Sequence, residues 1–246
     1  MLQKTSIVVL HRFPYSDSSW VLKALSPEFG VLSFLVKGGK RSENSFKACL
    51  DPLSESDVVF SSSGKSELCF LREASLRDWH PALRNDLVSL AEAEASAEVL
   101  LRFAPQGMPL EAEFDILRET LQKLDENDQT ALAVFLFRLS ELWGFGMNVS
   151  ECAVCGRPLS SPPADIREES GEALCEACAF GQPSGKKAAY FADLFRLANG
   201  LLPQEPGEVE LGILRYLRLH LGVQQEVRSL AFLNEVRKLC VPQKKF

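Results

Sequence analysis

Residues 152–156 read Cys-Ala-Val-Cys-Gly, and residues 175–178 read Cys-Glu-Ala-Cys. Nineteen residues separate the two Cys-x-x-Cys pairs. A two-residue gap lets both sulfurs of a pair lie on one side of a tight turn, and two facing turns give the four-sulfur tetrahedron that Zn²⁺ accepts. Gly156 supplies the permissive backbone of such a turn, whereas Ala179 follows the second pair. This pattern predicts a structural Zn²⁺ site with the ligands Cys152, Cys155, Cys175 and Cys178.

Other uses of the four cysteines fit less well. Disulfides need an oxidising compartment, and a thioredoxin-like redox motif uses one Cys-x-x-Cys in a βαβ setting. Two alternatives stay open: a site that no longer holds metal, and an iron–sulfur cluster. If all four thiolates bind Zn²⁺, no position is left for a catalytic water, so the metal is structural. The remaining cysteines of the seven, Cys49, Cys69 and Cys240, are expected to be small core residues.

Short β-branched and apolar runs fill the first 76 residues, with Ser, Pro, Gly and Asp clusters between them. Five short strands in so short a stretch suggest a closed or nearly closed barrel, for which the five-stranded OB-fold is the economical choice. The predicted strands are Thr5–Leu10, Trp20–Leu25, Val31–Lys37, Asp57–Ser61 and Glu67–Arg72.

From about residue 81 the apolar residues recur with helical periodicity. The third helix is apolar on nearly every side and is therefore expected to be buried at the centre, and Ser229 is expected to cap the last one. The predicted helices are Asn85–Phe103, Glu111–Leu124, Asp128–Trp143, Ala188–Asn199, Glu208–Leu221 and Ser229–Leu239.

These patterns together predict an α+β multidomain protein. A five-stranded OB-fold β-barrel would occupy residues 1–79. An α-helical domain would occupy residues 80–246, with the four-cysteine zinc module inserted at residues 150–180.

The net charge of −6 is unevenly distributed. Residues 1–84 hold eleven Lys/Arg and nine Asp/Glu, a net of +2, whereas residues 85–246 hold sixteen and twenty-four, a net of −8. An anionic partner would therefore favour the N-terminal part. No apolar run approaches the roughly 20 residues of a membrane span, and no signal peptide is recognisable. We expect a cytoplasmic protein without a membrane partner.

A basic stretch at residues 37–47 follows the third predicted strand. Its double glycine would let backbone amides approach a phosphate, and its cations would add affinity that does not depend on base sequence. Nearby Trp20, Phe34 and Phe46 could stack bases, although barrel core is their more ordinary use. An ordinary solvated hairpin loop explains the stretch equally well on local grounds. If the stretch binds a nucleic acid, the expected contacts are Lys37, Lys40, Arg41 and Lys47.

Constellations for catalysis are scarce. The three histidines, His11, His80 and His220, lie in different predicted elements, and no hydrolase or dinucleotide-binding fingerprint is present. The carboxylates of Glu92, Glu94 and Glu98 are read as a solvated helix face. We expect a protein that is not an enzyme.

The order of these parts resembles the RecO family of bacterial recombination mediators and DNA repair proteins. The resemblance covers nearly the whole chain, and the cysteine pairs are its most specific part. The matching segments are Ile7–Leu22 (IVVLHRFPYSDSSWVL), Glu28–Gly30, Lys37–Arg41 (KGGKR), Cys152–Gly156, Gly171 with Cys175–Cys178, Leu217–His220 and Arg228–Leu233 (RSLAFL).

The resemblance implies an OB-fold followed by a helical domain with a zinc module. It also implies binding of single- and double-stranded DNA, annealing of complementary strands, and work with RecR and single-stranded-DNA-binding protein to load RecA. DNA contact would fall on Lys37–Arg41, in a bacterial, nucleoid-associated protein. The alternative hypothesis is a zinc-ribbon nucleic-acid-binding or assembly factor of the translation or transcription machinery, without annealing activity. A metal hydrolase is a more distant third.

Overall fold

The computed structural model describes residues 2–41, 46–62, 68–179, 185–223 and 226–240. Parts of three sequence predictions therefore lie outside the described residues: Ser42–Ser45 of the basic stretch, Glu67 of the fifth strand and Phe180 of the zinc module. By its internal contacts the chain divides into two compact units. The first unit comprises the chain up to Asp128 together with Val227 onward, and the second comprises Gln129–Glu226.

Five strands of the first unit form a closed barrel with the strand order β1-β2-β3-β5-β4. All neighbouring strands are antiparallel except β3 and β5, which pair in parallel. The predicted five-stranded OB-fold barrel is confirmed. The strands are β1 (Leu2–Pro14), β2 (Trp20–Ser26), β3 (Gly30–Val36), β4 (Glu55–Ser62) and β5 (Leu68–Asp78).

Side chains along each strand point alternately into and out of the barrel, and the inward-pointing apolar side chains fill its interior. Phe60 is at its centre and meets Phe34 and Phe29 edge-on, each with 5.4 Å between ring centroids. Such aromatic pairs add to the free energy of burial. The other buried members of this core are Ile7, Val9, Leu22, Ala24, Val36, Leu50, Val58 and Cys69.

Three helices complete the first unit: α1 (Leu87–Phe103), α2 (Glu111–Asp125) and, late in the sequence, α6 (Arg228–Cys240). Asp86 caps α1 by accepting the N–H of Ser89 at 2.7 Å. Helix α6 packs against α1 and α2 also packs against α1. The described element order thus brings residues 227–240 back to a helix that begins at Leu87.

The return of α6 overturns the expectation of a solvated acidic face on α1. Glu92 is only 1% exposed, and its Oε1 lies 2.6 Å from Nη2 of Arg237. Glu98 accepts the backbone N–H of Ser229 at 2.7 Å. Ser229 therefore lies inside α6 and donates to Glu98, so its predicted role as the cap is wrong. Only Glu94 is exposed as expected.

The second unit contains three helices and a two-stranded hairpin. Helix α5 packs against both α3 and α4. Most side chains of α3 are buried, as predicted from its apolar composition. The elements are α3 (Ala131–Leu142), β6 (Asp165–Ile166), β7 (Ala173–Leu174), α4 (Gly185–Ala198) and α5 (Pro206–Leu221).

Two close contacts fix α4 against α5. Asp193 of α4 is buried and accepts the backbone N–H groups of Gln204 and Glu205, at 2.7 and 2.6 Å, just before α5 begins. These amides have no partner within α5, so the carboxylate caps the helix from a neighbouring element. Gly212 of α5 lies so close to the ring of Tyr190 that a Cβ would stand 2.3 Å from it.

The remaining cysteines divide by environment. Cys49 and Cys69 are buried, as predicted, whereas Cys240 is exposed at the last described position of α6. The expectation that Cys240 is a core residue is wrong, because it lies beyond the last turn that α6 buries. Among the described residues, no helix combines the length and apolar character needed to cross a membrane.

Candidate functional site

The fold brings Cys152, Cys155, Cys175 and Cys178 together. Their four sulfur atoms all lie within 4.8 Å of one another, and Sγ of Cys155 is 3.8 Å from Sγ of Cys175. A tetrahedron with metal–sulfur distances of about 2.3 Å has sulfur–sulfur edges of about 3.8 Å. The cluster therefore has the size and donor set to hold a metal ion.

Both cysteine pairs lie on similar turns. The N–H of Gly156 donates to the carbonyl of Cys152 at 2.9 Å, and the N–H of Ala179 donates to that of Cys175 at 3.0 Å. Gly156 has a φ of +66°, which favours glycine, whereas Ala179 is not among the residues of positive φ. Only the first turn therefore needs glycine, which explains how the second functions with alanine.

The hairpin β6–β7 holds the first turn beside the second. The N–H of Ala153 donates to the carbonyl of Ala173 in β7 at 2.9 Å, immediately before the second cysteine pair. Gly171, with a φ of +68°, lies two residues before β7, and a Cβ there would stand 2.5 Å from the hydroxyl of Tyr216. Gly171 thus permits both the turn and a close contact with α5.

The environments of Cys152 and Cys178 shift the pKa values of their thiols in opposite directions. The backbone N–H of Cys175, followed by those of Cys155 and Val154, points to the sulfur of Cys152 and lowers the pKa of that thiol to about 6. In contrast, hydrogen bonding with Cys175, together with burial and the nearby Cys155 and Cys152, raises the pKa of Cys178 to about 12. One thiolate forms readily, but further negative charge needs a cation. A divalent metal with four thiolate ligands provides that compensation.

A second candidate site lies on the barrel, where the β1–β2 loop meets the turn after β3. The two segments form an open groove of about 460 Å³. Lys37 and Arg41 line it and are both exposed. Its described lining residues are Tyr15, Ser16, Ser18, Ser19, Leu35, Lys37, Gly38 and Arg41.

The two glycines of the basic turn serve its own geometry. Gly38 has a φ of +68°, and a Cβ on Gly39 would stand 2.8 Å from Cδ1 of Trp20. The N–H groups of Gly39, Lys40 and Arg41 donate to Val36, Ser18 and Gly38 respectively. The expectation that the double glycine presents free amides to a phosphate is wrong, because the turn itself uses these donors.

Lys40 has a different environment from Lys37 and Arg41. Its Nζ donates to the carbonyl of Ser16 at 2.6 Å and lies 5.1 Å from the centre of the Trp20 ring. It therefore fastens the β1–β2 loop to the basic turn. Lys47 is exposed at the start of a 3₁₀ turn at Ala48–Leu50 and is not among the residues that line the groove.

The three aromatic residues singled out from the sequence are engaged within the barrel. Phe34 is fully buried, and Trp20 and Phe46 pack partly buried against the same core. The guanidinium of Arg12 lies 4.7 Å from the Trp20 ring centre, in addition to the ammonium of Lys40. The interpretation of Trp20, Phe34 and Phe46 as residues of the barrel core is confirmed.

Tyr15 is an aromatic residue of the groove that was not predicted from the sequence as a site residue. It is 60% exposed, and its N–H donates to the carbonyl of Ser19 at 3.1 Å. The available signal was an aromatic residue within a turn of Ser and Asp, beside a basic segment. That signal was attributed to a connecting turn alone.

Comparison with known families matches two consecutive segments of the chain. Residues 1–80 match the family described as Recombination protein O N terminal, and residues 84–226 match Recombination protein O C terminal. These two matches cover the barrel and the cysteine cluster.

Individual relatives extend over nearly the full length. The chain is 30% identical to the DNA repair protein RecO of Anaeromyxobacter dehalogenans (strain 2CP-C) and 29% identical to that of Anaeromyxobacter sp. (strain K), in each case over 96% of this chain and 97% of the relative. It is 25% identical to the DNA repair protein RecO of Syntrophotalea carbinolica over 93% of both chains. The chain therefore belongs to the RecO family of DNA repair proteins.

Proposed function

We propose that this protein is a non-enzymatic mediator of DNA repair and homologous recombination. In this proposal it binds single- and double-stranded DNA and anneals complementary strands. With RecR and single-stranded-DNA-binding protein, it helps to load the RecA recombinase onto protein-coated single strands. The protein would act in the bacterial cytoplasm, at the nucleoid. Family membership and the basic groove of the barrel support the proposal.

The observation that carries the DNA-binding part is the state of the cations in the groove. Within the part of the chain that the structure describes, neither Lys37 nor Arg41 has a carboxylate within ion-pair distance. Other arginines of the barrel are paired: Arg12 with Asp51 at 2.8 Å, and Arg77 with Asp57 at 2.7 Å. Exposed cations that have no ion pair with any described residue can bind phosphates without first losing such a pair.

Binding of a strand at these cations follows from counterion release. Each neutralised phosphate frees condensed counterions, which favours binding at low salt and does not depend on base sequence. Because the whole chain carries a net charge of −6, attraction for DNA must come from a local surface. Annealing follows from the same chemistry, since cations on the protein reduce the repulsion between two phosphate backbones that approach each other.

In this proposal the cysteine cluster holds Zn²⁺ in a structural role. Four thiolates complete the tetrahedral shell of the ion, so no coordination position remains for a water nucleophile. The sulfur–sulfur distance of 3.8 Å and the amides directed at Cys152 support the assignment. Zinc would fasten the two cysteine turns together, while Lys37 and Arg41 of the barrel perform the DNA contact.

A salt titration of binding to a labelled single strand tests the groove. For the variant Lys37→Glu/Arg41→Glu we expect weaker binding and a salt dependence whose logarithmic slope is smaller by about 1.4, the value for two lost phosphate contacts. A matched control, Lys123→Glu/Lys238→Glu, makes the same charge change at exposed positions of α2 and α6. Equal affinities and slopes for the groove variant and wild type would refute the assignment.

Annealing separates the proposal from the zinc-ribbon assembly factor. Complementary oligonucleotides coated with single-stranded-DNA-binding protein are mixed with the purified protein, and duplex formation is followed by energy transfer between end labels. The mediator accelerates duplex formation, and the groove variant loses that acceleration. Binding without acceleration would favour the assembly factor. Formation of RecA filaments on coated strands, with and without RecR, then tests the loading step.

A further inference from the structure

Exposed aromatic residues follow one face of β1 towards the basic groove. His11, Phe13 and Tyr15 occupy alternate positions, and alternate side chains of an extended strand share a face. The rings of His11 and Phe13 stack with 6.1 Å between their centroids. The bond from Tyr15 N–H to Ser19 continues the β1–β2 pairing past the end of β1. The aromatic row therefore ends inside the groove.

The groove combines this row with cations. Tyr15, Lys37 and Arg41 line the same concavity, whose volume of about 460 Å³ is within the range of about 300 to 1,000 Å³ found for small-molecule sites. A nucleotide offers the matching chemistry, namely an apolar base face and a charged phosphate. Aromatic residues stack bases of any sequence, and nearby cations bind the phosphates that connect them.

Trp20 is the other aromatic residue near the groove that could stack a base, but its ring already contacts two cations. Trp20 is half-buried against the barrel core, with the cationic groups of Arg12 and Lys40 at 4.7 and 5.1 Å from its ring centre. A base could not replace these cations without breaking the Lys40 contact that holds the β1–β2 loop. Tyr15, which is 60% exposed, has no such commitment among the described residues.

We propose that Tyr15, supported by Phe13, stacks an unpaired base while Lys37 and Arg41 bind the adjoining phosphates, which makes this groove selective for single strands. The inference rests on the proposed DNA-binding function and assigns its preferred substrate at this site. In a duplex both faces of an internal base are covered by neighbouring bases, so Tyr15 has no surface to stack on. Duplex DNA binds here through its phosphates alone.

The test measures binding of the full-length protein to a labelled single strand, to a blunt duplex and to an abasic single strand of equal length. Tyr15→Ala is expected to weaken binding of the normal single strand about tenfold, the effect of losing one stacked base. The salt slope stays that of wild type, because no phosphate contact is lost. Affinities for the duplex and for the abasic strand change less than twofold. Tyr15→Phe binds as wild type does.

Two controls make the outcomes decisive. Phe232→Ala removes another exposed aromatic side chain, from α6, and is expected to leave all three affinities unchanged. Circular dichroism and thermal unfolding show that each variant is folded. If Tyr15→Ala changes no affinity, or weakens single strand and duplex equally, the stacking inference is overturned. In that case, if Lys37→Glu/Arg41→Glu still weakens binding of both single strand and duplex, only the stacking inference fails and the groove remains a DNA-binding site. If that double variant is also without effect, the proposed groove fails as well.

Discussion

Arg237 in α6 and Glu92 in α1 form an ion pair of 2.6 Å between residues 145 positions apart in the sequence. The carboxylate is 1% exposed, so water does not solvate it. A buried charge of this kind is tolerated only when it is paired and hydrogen-bonded. The pair therefore makes the stability of α1 depend on a helix at the other end of the first unit's sequence.

Removing one partner of this pair should be far more harmful than removing both. We expect Arg237→Met to lower the free energy of unfolding by about 3–5 kcal/mol, because the buried carboxylate of Glu92 keeps its charge but loses its ion pair with Arg237. Glu92→Met/Arg237→Met should be closer to wild type than Arg237→Met. Urea denaturation gives the free energies. Lys238→Met, at the next and exposed position, should change stability by less than about 1 kcal/mol. Similar losses for Arg237→Met and Lys238→Met would contradict the prediction.

Metal analysis tests the cysteine cluster. We expect the purified protein to contain one Zn²⁺ per chain, and Cys175→Ser to contain much less, because one of four ligands is lost. Binding of a structural metal contributes directly to folding, so the variant should also unfold at a lower temperature. Cys240→Ser, at an exposed cysteine outside the cluster, is the matched control. The four-ligand assignment does not survive if Cys175→Ser keeps both its metal and its thermal stability.

Acid should weaken the fold through His80. Burial lowers the pKa of this histidine and outweighs the nearby carboxylates of Asp78, Asp125 and Glu55, which raise it. Its folded-state pKa is thus below the unfolded value of about 6.5. Between the folded-state and unfolded-state pKa values, the unfolded state binds more protons than the folded state. The stability that neutral His80 contributes is therefore present above about pH 6.5 and is lost as the pH falls through the folded-state pKa.

The variant His80→Asn isolates this effect. Position 80 has a φ of +51°, which asparagine tolerates better than most residues. Denaturation at pH 7.5 and 5.5 should show a smaller loss of stability in the variant than in wild type. The pKa of Glu98 is lowered from its usual value of 4.5, so the stability that Glu98 contributes is fully present above about pH 4.5 and is lost only at lower pH. The effect of Glu98 is therefore separate from that of His80. If His80→Asn has the same pH dependence of stability as wild type, His80 is not the cause of the acid sensitivity.

Gly212 offers a test of packing in the second unit. Alanine normally favours a helix interior over glycine by about 1 kcal/mol. Here the added Cβ would stand 2.3 Å from the buried ring of Tyr190, so we expect Gly212→Ala to destabilise by about 1–3 kcal/mol. In a Tyr190→Ala background the same change should become neutral or stabilising, which a double-mutant cycle on thermal unfolding measures. A cost that persists without the Tyr190 ring would assign the effect to another neighbour.

Local patterns were sufficient to predict the five barrel strands and the described helices, but not the short hairpin β6–β7. Alternation and turn residues indicated the five barrel strands, and periodicity indicated all six helices, because both signals extend over neighbouring residues. The cysteine cluster could also be predicted from the sequence, since the two-residue gap within each pair almost fixes the geometry of its turn. Helix ends shifted by a few residues, as at Ala131 of α3, where local signals are weakest.

Long-range pairings had no such signal. Glu92 and Glu98 were interpreted as solvated because carboxylates usually are. Nothing near them in the sequence indicates that α6 covers their side of α1. The two glycines of the basic turn were likewise assigned to phosphate binding. The need for glycine at position 39 depends on Trp20 of β2, and the amide of the following Lys40 is bound by Ser18 of the β1–β2 loop.

The place of α6 in the first unit has a consequence for synthesis. A ribosome releases the barrel, α1 and α2 first, then the roughly one hundred residues of the second unit, and α6 only afterwards. Until Arg237 emerges, the nascent chain carries Glu92 without this cation. The first unit therefore stays incomplete, and open to chaperones and proteases, throughout the synthesis of the second unit.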